Sequence, residues 1–191
     1  MLKSFLIIFL SAFLFSCAWN VIPDEGRNKG EKIQTEIEKA DQKILDEEEA
    51  VRVYAEGIKA LDEGDSYYAK TKFREVESLV PQSLWAAKAS VMSGYADYTR
   101  NFFTGAIFSL ERHITNYPAD QNIPYVHYLI AICYYEQILD EKKDLQPLIK
   151  AKNKFEFIIQ TYPNTDYATD ARFKIDLITD QLAAKEMSIA R

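Results

Sequence analysis

Between residues 50 and 61 the apolar positions are Ala50, Val53, Tyr54, Gly57, Ile58 and Leu61, in steps of three and one. That spacing draws one stripe along a helix. Gly64-Asp65 interrupts it, and a second helix is predicted to start near Ser66. The same period predicts helices at about 83–99, 103–116, 124–139, 147–161 and from 166 to the end, with Pro124 and Pro147 in first-turn positions. Ile33, Ile37, Ala40 and Ile44 recur at helical spacing ahead of these. No segment longer than a few residues alternates strictly, so a sheet has nothing to be built from. The pattern predicts an all-α fold.

Three landmarks return at one interval: Gly57 to Gly94, Ala69 to Ala106 and Pro81 to Pro118 are each 37 residues apart. A third copy is shifted by 45, taking Ala106 to Ala151, Leu110 to Phe155 and Pro118 to Pro163. The extra eight residues are assigned to the charged stretch Asp140 to Leu148, a lengthened turn within the third pair. Within each copy a small residue in either helix lets the pair approach closely, and Phe73, Leu110 or Phe155 fills the space between neighbouring pairs. Proline then ends each second helix, since it has no amide to donate and restricts the residue before it. This looks like a tetratricopeptide-type (TPR) solenoid of helical pairs over residues 47–191, with repeats at about 47–81, 83–118 and 124–163 and a partial one at 166–191.

The amino end reads as an address. Lys3 supplies a positive charge, and the run from Phe5 to Phe15 is apolar except for Ser11, too short to span a bilayer. Leu14-Phe15-Ser16-Cys17 resembles a bacterial lipobox. The expectation is a lipoprotein signal peptide at 1–16, lipid on Cys17, and a tether with a lead-in helix over 17–46. Two or more acyl chains hold a protein firmly, where one binds marginally. Ala18, in place of Asp, resembles the signal for export to the outer membrane.

Composition removes several classes. Lys plus Arg number 23 against 29 for Asp plus Glu, a net charge of −6 without a basic block, so nucleic acid is a poor partner. Six glycines against 23 Tyr and Phe mean scarce turn chemistry and plentiful aromatic packing. GxGxxG, P-loop, HExxH, CxxC and GxSxG are all missing, so no cofactor is expected beyond the covalent lipid. No catalytic or metal-binding residue is assigned. His113 takes the slot of Val76 and Ile158 and is expected packed and hydrogen-bonded; His127 is expected at the surface. Cys133, in an apolar helix, should behave as a small hydrophobe. The acidic run Asp46 to Glu49 is read as the start of a helix serving its dipole.

Function in such an array belongs on the concave face lined by the first helix of each pair, where extended peptides are held. On the first two copies that face includes Arg52, Tyr54, Ile58 and Leu61, then Lys88, Val91, Tyr95 and Tyr98. Aromatic side chains give contact area at small entropic loss, and Lys88 or Arg52 could meet a carboxylate. Packing against neighbouring helices is the equal alternative for the tyrosines.

From Tyr54 to Arg191 the chain resembles the BamD family, lipoproteins of the outer-membrane β-barrel assembly machinery. Gly64-Asp65 with Tyr68-Ala69 and Phe73 carry this, then Ala106 through Leu110-Glu111-Arg112 to Tyr117-Pro118. More telling are Tyr162-Pro163-Asn164, Tyr167-Ala168, Asp170-Ala171-Arg172, Leu182-Ala183 and Glu186-Met187. The resemblance implies a non-enzymatic subunit, lipid-anchored in the outer membrane and facing the periplasm. It would bind the barrel-forming assembly protein, sister lipoproteins and unfolded outer-membrane protein segments. The family usually continues for one or two further repeats, and is usually aromatic where this chain has His113. Two other classes stand beside it: a lipid-anchored TPR adaptor in cell-wall synthesis or a secretion or pilus apparatus, and an enzyme or small-molecule receptor on helical pairs.

Overall fold

The structure is a computed structural model and describes residues 24–137 and 145–189. The expected signal peptide, Cys17, the first part of the tether and most of the lengthened turn lie outside them, as does Leu139. The described residues form seven α-helices: α1 (Asp24–Asp62), α2 (Ser66–Leu79), α3 (Leu84–Thr99), α4 (Phe103–Asn116), α5 (Ile123–Glu136), α6 (Gln146–Thr161) and α7 (Asp166–Ile189). The chain divides into two compact units, Met1–Ile44 and Leu45–Arg191. The described part of the first is helix with Ile33, Ile37 and Ile44 exposed.

Two expectations about this end are corrected. The segment read as tether is helical from Asp24, and Asp46 to Glu49 lie inside α1, not at its start. Between Gly30 and Gly57 there is no glycine or proline, and Glu, Lys, Gln, Ala and Ile dominate, so nothing halts the helix. Glu49 serves side-chain pairing instead: Arg52 Nε donates to its Oε2 at 3.1 Å.

In the second unit consecutive helices pack in order, and first helices also meet: α3 with α5, and α5 with α7. This is the helical-pair arrangement that the 37-residue interval requires. The close approach of each pair is visible at the glycines. A methyl group on Gly57 would lie 2.7 Å from Phe73, and one on Gly94 would lie 2.7 Å from Leu110. Phe73, Leu110 and Phe155 are completely buried. Thirty-seven residues beyond Gly94 stands Ala131, buried in the same cluster as Phe155. In the third pair the gap between α5 and α6 is correspondingly longer. Burying one such side chain contributes roughly 1.5–3 kcal/mol, so three apolar clusters, one at each pair, supply the bulk of the cohesion.

Helix ends repeat as faithfully as the seam. Val80, Tyr117 and Tyr162, each just before a proline, close α2, α4 and α6 with backbone N–H bonds to the carbonyls of Val76, His113 and Ile158 at 3.2, 2.8 and 2.8 Å. Asp65 Oδ1 accepts from the Tyr68 amide at 2.9 Å and Ser83 Oγ from the Ala86 amide at 3.0 Å, which satisfies donors in the first turns of α2 and α3. Gly64 and Asn101, also 37 apart, both have positive φ (84° and 61°) and turn the chain between the helices of a pair. Glycine enters this region freely, and asparagine more readily than most residues.

Candidate functional site

The first-helix face is built by α3 and α5 with the latter part of α1. Tyr54 meets Phe73 and the edge of Trp85, both with ring centroids 5.4 Å away, and Lys88 Nζ sits 4.7 Å from the centre of the Trp85 ring. Tyr54, Trp85 and Lys88 thus form one cation–aromatic group, an arrangement that contributes on the order of 0.5–1 kcal/mol at such sites. Burial pushes the Tyr54 hydroxyl pKa upward, so it stays a neutral donor. Ile58 is half-buried against the first core cluster.

Tyr95 and Tyr98 follow along α3 with centroids 6.0 Å apart, and Tyr98 meets Phe103 at 6.0 Å. The row then continues onto α5 and α7. Tyr125 and Tyr128 lie 5.8 and 5.2 Å from Tyr167, and the Tyr128 hydroxyl donates to Asp170 Oδ2 at 2.7 Å. Burial, aided by neighbouring tyrosines, pushes Tyr125 up to about 12. Tyr128 is pushed upward by burial and by its bond to Asp170. Lys174 caps the row over Tyr135 at 4.9 Å. These residues are partly exposed, so each ring is both packed and presented.

Not every residue assigned to the face lies on it. Val91 is 5% exposed and packs into the cluster with Ala106, Leu110 and Leu129, so it offers no surface to a ligand. Arg52 is two residues from Tyr54, hence on another side of α1. It belongs to a charged network there: its Nη1 donates to Glu56 Oε1 at 2.9 Å, and Glu56 also holds Lys72 Nζ at 3.2 Å. The 37-residue interval contains the Arg52 correction but not the one at Val91, because it pairs Val91 with Tyr128, which is in the row. Arg52 corresponds to Ala89, whereas Lys88, Val91, Tyr95 and Tyr98 correspond to Tyr125, Tyr128, Ile132 and Tyr135. The α5 tyrosines lie in the third copy, beyond the two on which the expected face is drawn, whereas Trp85 lies in the second copy at the start of α3, outside the residues assigned there.

The titratable residues behave variously. Cys133 is buried with its thiol pushed up to about 12 by desolvation, the small hydrophobe expected. His127 is not a plain surface residue: it is half-buried against Phe157, 4.8 Å away, with Tyr162 at 6.0 Å, because α6 folds over it. His113 is wholly buried, but neither nitrogen has a hydrogen-bond partner among the described residues. Its Nε2 lies 3.5 Å from Asp120 Oδ2, the ion-pair contact nearest to a bond. Asp97, unremarked in the sequence, is buried between Lys70 and Arg100, with Arg100 Nη2 3.0 Å from its Oδ1. Among the described residues no group of three or more His, Cys, Asp or Glu is placed to hold a metal ion.

Residues 46–191 match the family described as YfiO, outer membrane lipoprotein. The chain belongs to this family. The YfiO family match extends over the helical pairs and the tyrosine row. The outer membrane protein assembly factor BamD of Caulobacter vibrioides is 43% identical over 148 residues, 78% of this chain and 48% of that protein. The BamD of Rickettsia prowazekii is 35% identical over 139 residues (73% and 55% of the two chains), and that of Xylella fastidiosa Temecula1 27% over 147 residues (72% and 50%). The chain spans about half the length of these curated relatives. Among the described residues no helix is long and apolar enough to cross a membrane.

Proposed function

We propose that this protein acts without catalysis, as a scaffold of the machinery that assembles β-barrel proteins into the outer membrane. The observation that carries this reading is the set of packed tyrosines on α3, α5 and α7, in a chain whose relatives are named outer membrane protein assembly factors. Partly exposed tyrosine rings hold extended polypeptides by contact area and by hydrogen bonds to exposed backbone, without demanding one sequence. Unfolded outer-membrane protein segments are the ligand this fits. Lipid on Cys17 would keep the face at the periplasmic side of the outer membrane, in reach of the barrel-forming assembly protein and its sister lipoproteins.

A photo-crosslinking amino acid at Tyr95 or Tyr125 is expected to trap outer-membrane protein segments. One at Phe108, exposed on the second helix of its pair, should not. Purification from solubilised membranes should recover a large β-barrel protein. Its repeated absence, with recovery of cell-wall or secretion components instead, would replace this reading by the adaptor one. Mass spectrometry of the mature amino terminus checks the anchor: Cys17→Ser should leave the protein out of the membrane fraction.

A further inference from the structure

Away from the tyrosine row, the ends of α2 and α4 enclose a groove of about 320 Å³ whose polar lining includes Arg74, Glu77, Ser78, Arg112, Asn116 and Tyr117. Arg112 Nη2 donates to Glu77 Oε1 at 2.9 Å, which uses one edge of its guanidinium. Arg74 is exposed and its guanidinium makes no hydrogen bond or ion pair with the described residues, while its carbonyl accepts from Ser78 Oγ at 3.1 Å; it lies near enough to Glu77 to favour the charged carboxylate. The groove therefore holds two guanidinium groups against one carboxylate, in a chain whose net charge is −6.

The fold does not require this charge pattern. In the next interval the positions of Arg74, Glu77 and Arg112 are Glu111, Ile114 and Phe157. There Phe157 packs with His127 and Tyr162, and the seam closes equally well. Nor does the helix dipole account for the arginines, since neither lies in the last turn of its helix. What remains is recognition. We propose that this groove holds an acidic side chain of a partner polypeptide, its carboxylate taken by Arg74 and the unused edge of Arg112. A guanidinium fork matches a carboxylate in two parallel bonds, and Asn116 supplies a further donor at the rim. Because the whole chain is acidic, long-range attraction for an acidic segment is absent, and local geometry must provide the selectivity.

The test is a titration of the full chain with an end-blocked hexapeptide of alternating Asp and Glu, followed through the arginine Nε–H signals and by fluorescence anisotropy. Saturable shifts at Arg74 and Arg112 are expected, weakening with salt. Arg74→Glu should lower the affinity at least tenfold, while Arg172→Glu, an exposed arginine on α7, should change it less than twofold. The same peptide with Asn and Gln should not bind. An equal loss in Arg172→Glu would overturn the proposal by showing unspecific attraction. So would inorganic phosphate binding the groove without being displaced by the peptide. Helical circular dichroism of each variant separates loss of binding from loss of fold, and Arg74→Gln, which removes charge without reversing it, should give an intermediate loss.

Discussion

Phe73, Leu110 and Phe155 occupy three copies of one environment, whereas Asp97 has no copy: its position is Ala60 in the first pair and Tyr134 in the third. The bulky residues face small ones and pack into the apolar clusters. Asp97 is just as buried but is held by charge, through Lys70 from α2 and Arg100 from the turn into α4, while its own carbonyl accepts from the Phe102 amide at 2.9 Å. Repetition is affordable where the interaction is non-directional, because any large apolar side chain of suitable volume serves. A buried carboxylate needs partners placed on three elements at once, and such a constellation is not copied by duplicating a helix pair.

The comparison is broken most directly at the seam. Phe73→Ala and Phe155→Ala are each expected to lower stability by about 3–5 kcal/mol, and Leu110→Ala by about 2–5 kcal/mol. Chemical denaturation followed by circular dichroism reads this. Since repeat arrays lose stability pair by pair, the transition should also broaden. A change below about 1 kcal/mol at Phe155 would mean that the third pair is not equivalent to the others. Asp97→Ala comes next, at about 2–3 kcal/mol. That is below the range for a fully enclosed pair, because Lys70 and Arg100 reach water once released.

Gly57→Ala sharpens the same contrast at smaller amplitude. The added methyl would press on Phe73 at 2.7 Å, and overpacking of this kind costs roughly 1–3 kcal/mol. Combining it with Phe73→Leu should cost less than the two changes added, since the smaller side chain makes room for the methyl. Strict additivity in thermal or denaturant unfolding would show that the two residues do not share one space.

These differences explain what could be read in advance. The interval, the prolines and the Asp65 and Ser83 caps announce helices and their ends locally, and helix pairing follows from the small and large positions they bracket. Even the tyrosines of α5 were available by adding 37 to the α3 face. Arg52 stands only two residues from Tyr54, and that short separation puts the two side chains on different sides of α1. The charge contacts were not legible, because Lys70 and Asp97 are 27 residues apart and Glu77 and Arg112 are 35 apart. No periodicity links them. The start of α1 was obscured by polar composition, which suits an exposed helix as well as a tether.

His113 tests the polar side of the comparison most gently, through pH. Burial and the neighbouring Arg112 lower its pKa, while Asp120 opposes them, and the net direction is downward from 6.5. In the unfolded chain the imidazole binds a proton near 6.5, so below that value the unfolded state holds more protons than the folded one. Stability contributed by the neutral ring is therefore complete above 6.5 and is lost as pH falls through the window beneath it, with a slope of at most about 1.4 kcal/mol per pH unit. His113→Ile, which restores the residue type found at Val76 and Ile158, should remove that slope. It should also raise stability by about 1 kcal/mol at neutral pH, because two nitrogens without partners among the described residues are replaced by apolar surface. Asp120 keeps its bonds to the Asn122 amide and side chain at 2.8 and 3.0 Å, so the turn should survive the change. Denaturation midpoints of both proteins between pH 5 and 8 decide the matter. Parallel curves would place the acid sensitivity elsewhere, whereas convergence at low pH would mean that Asp120 captures the charged imidazole and the pair stabilises the turn after all.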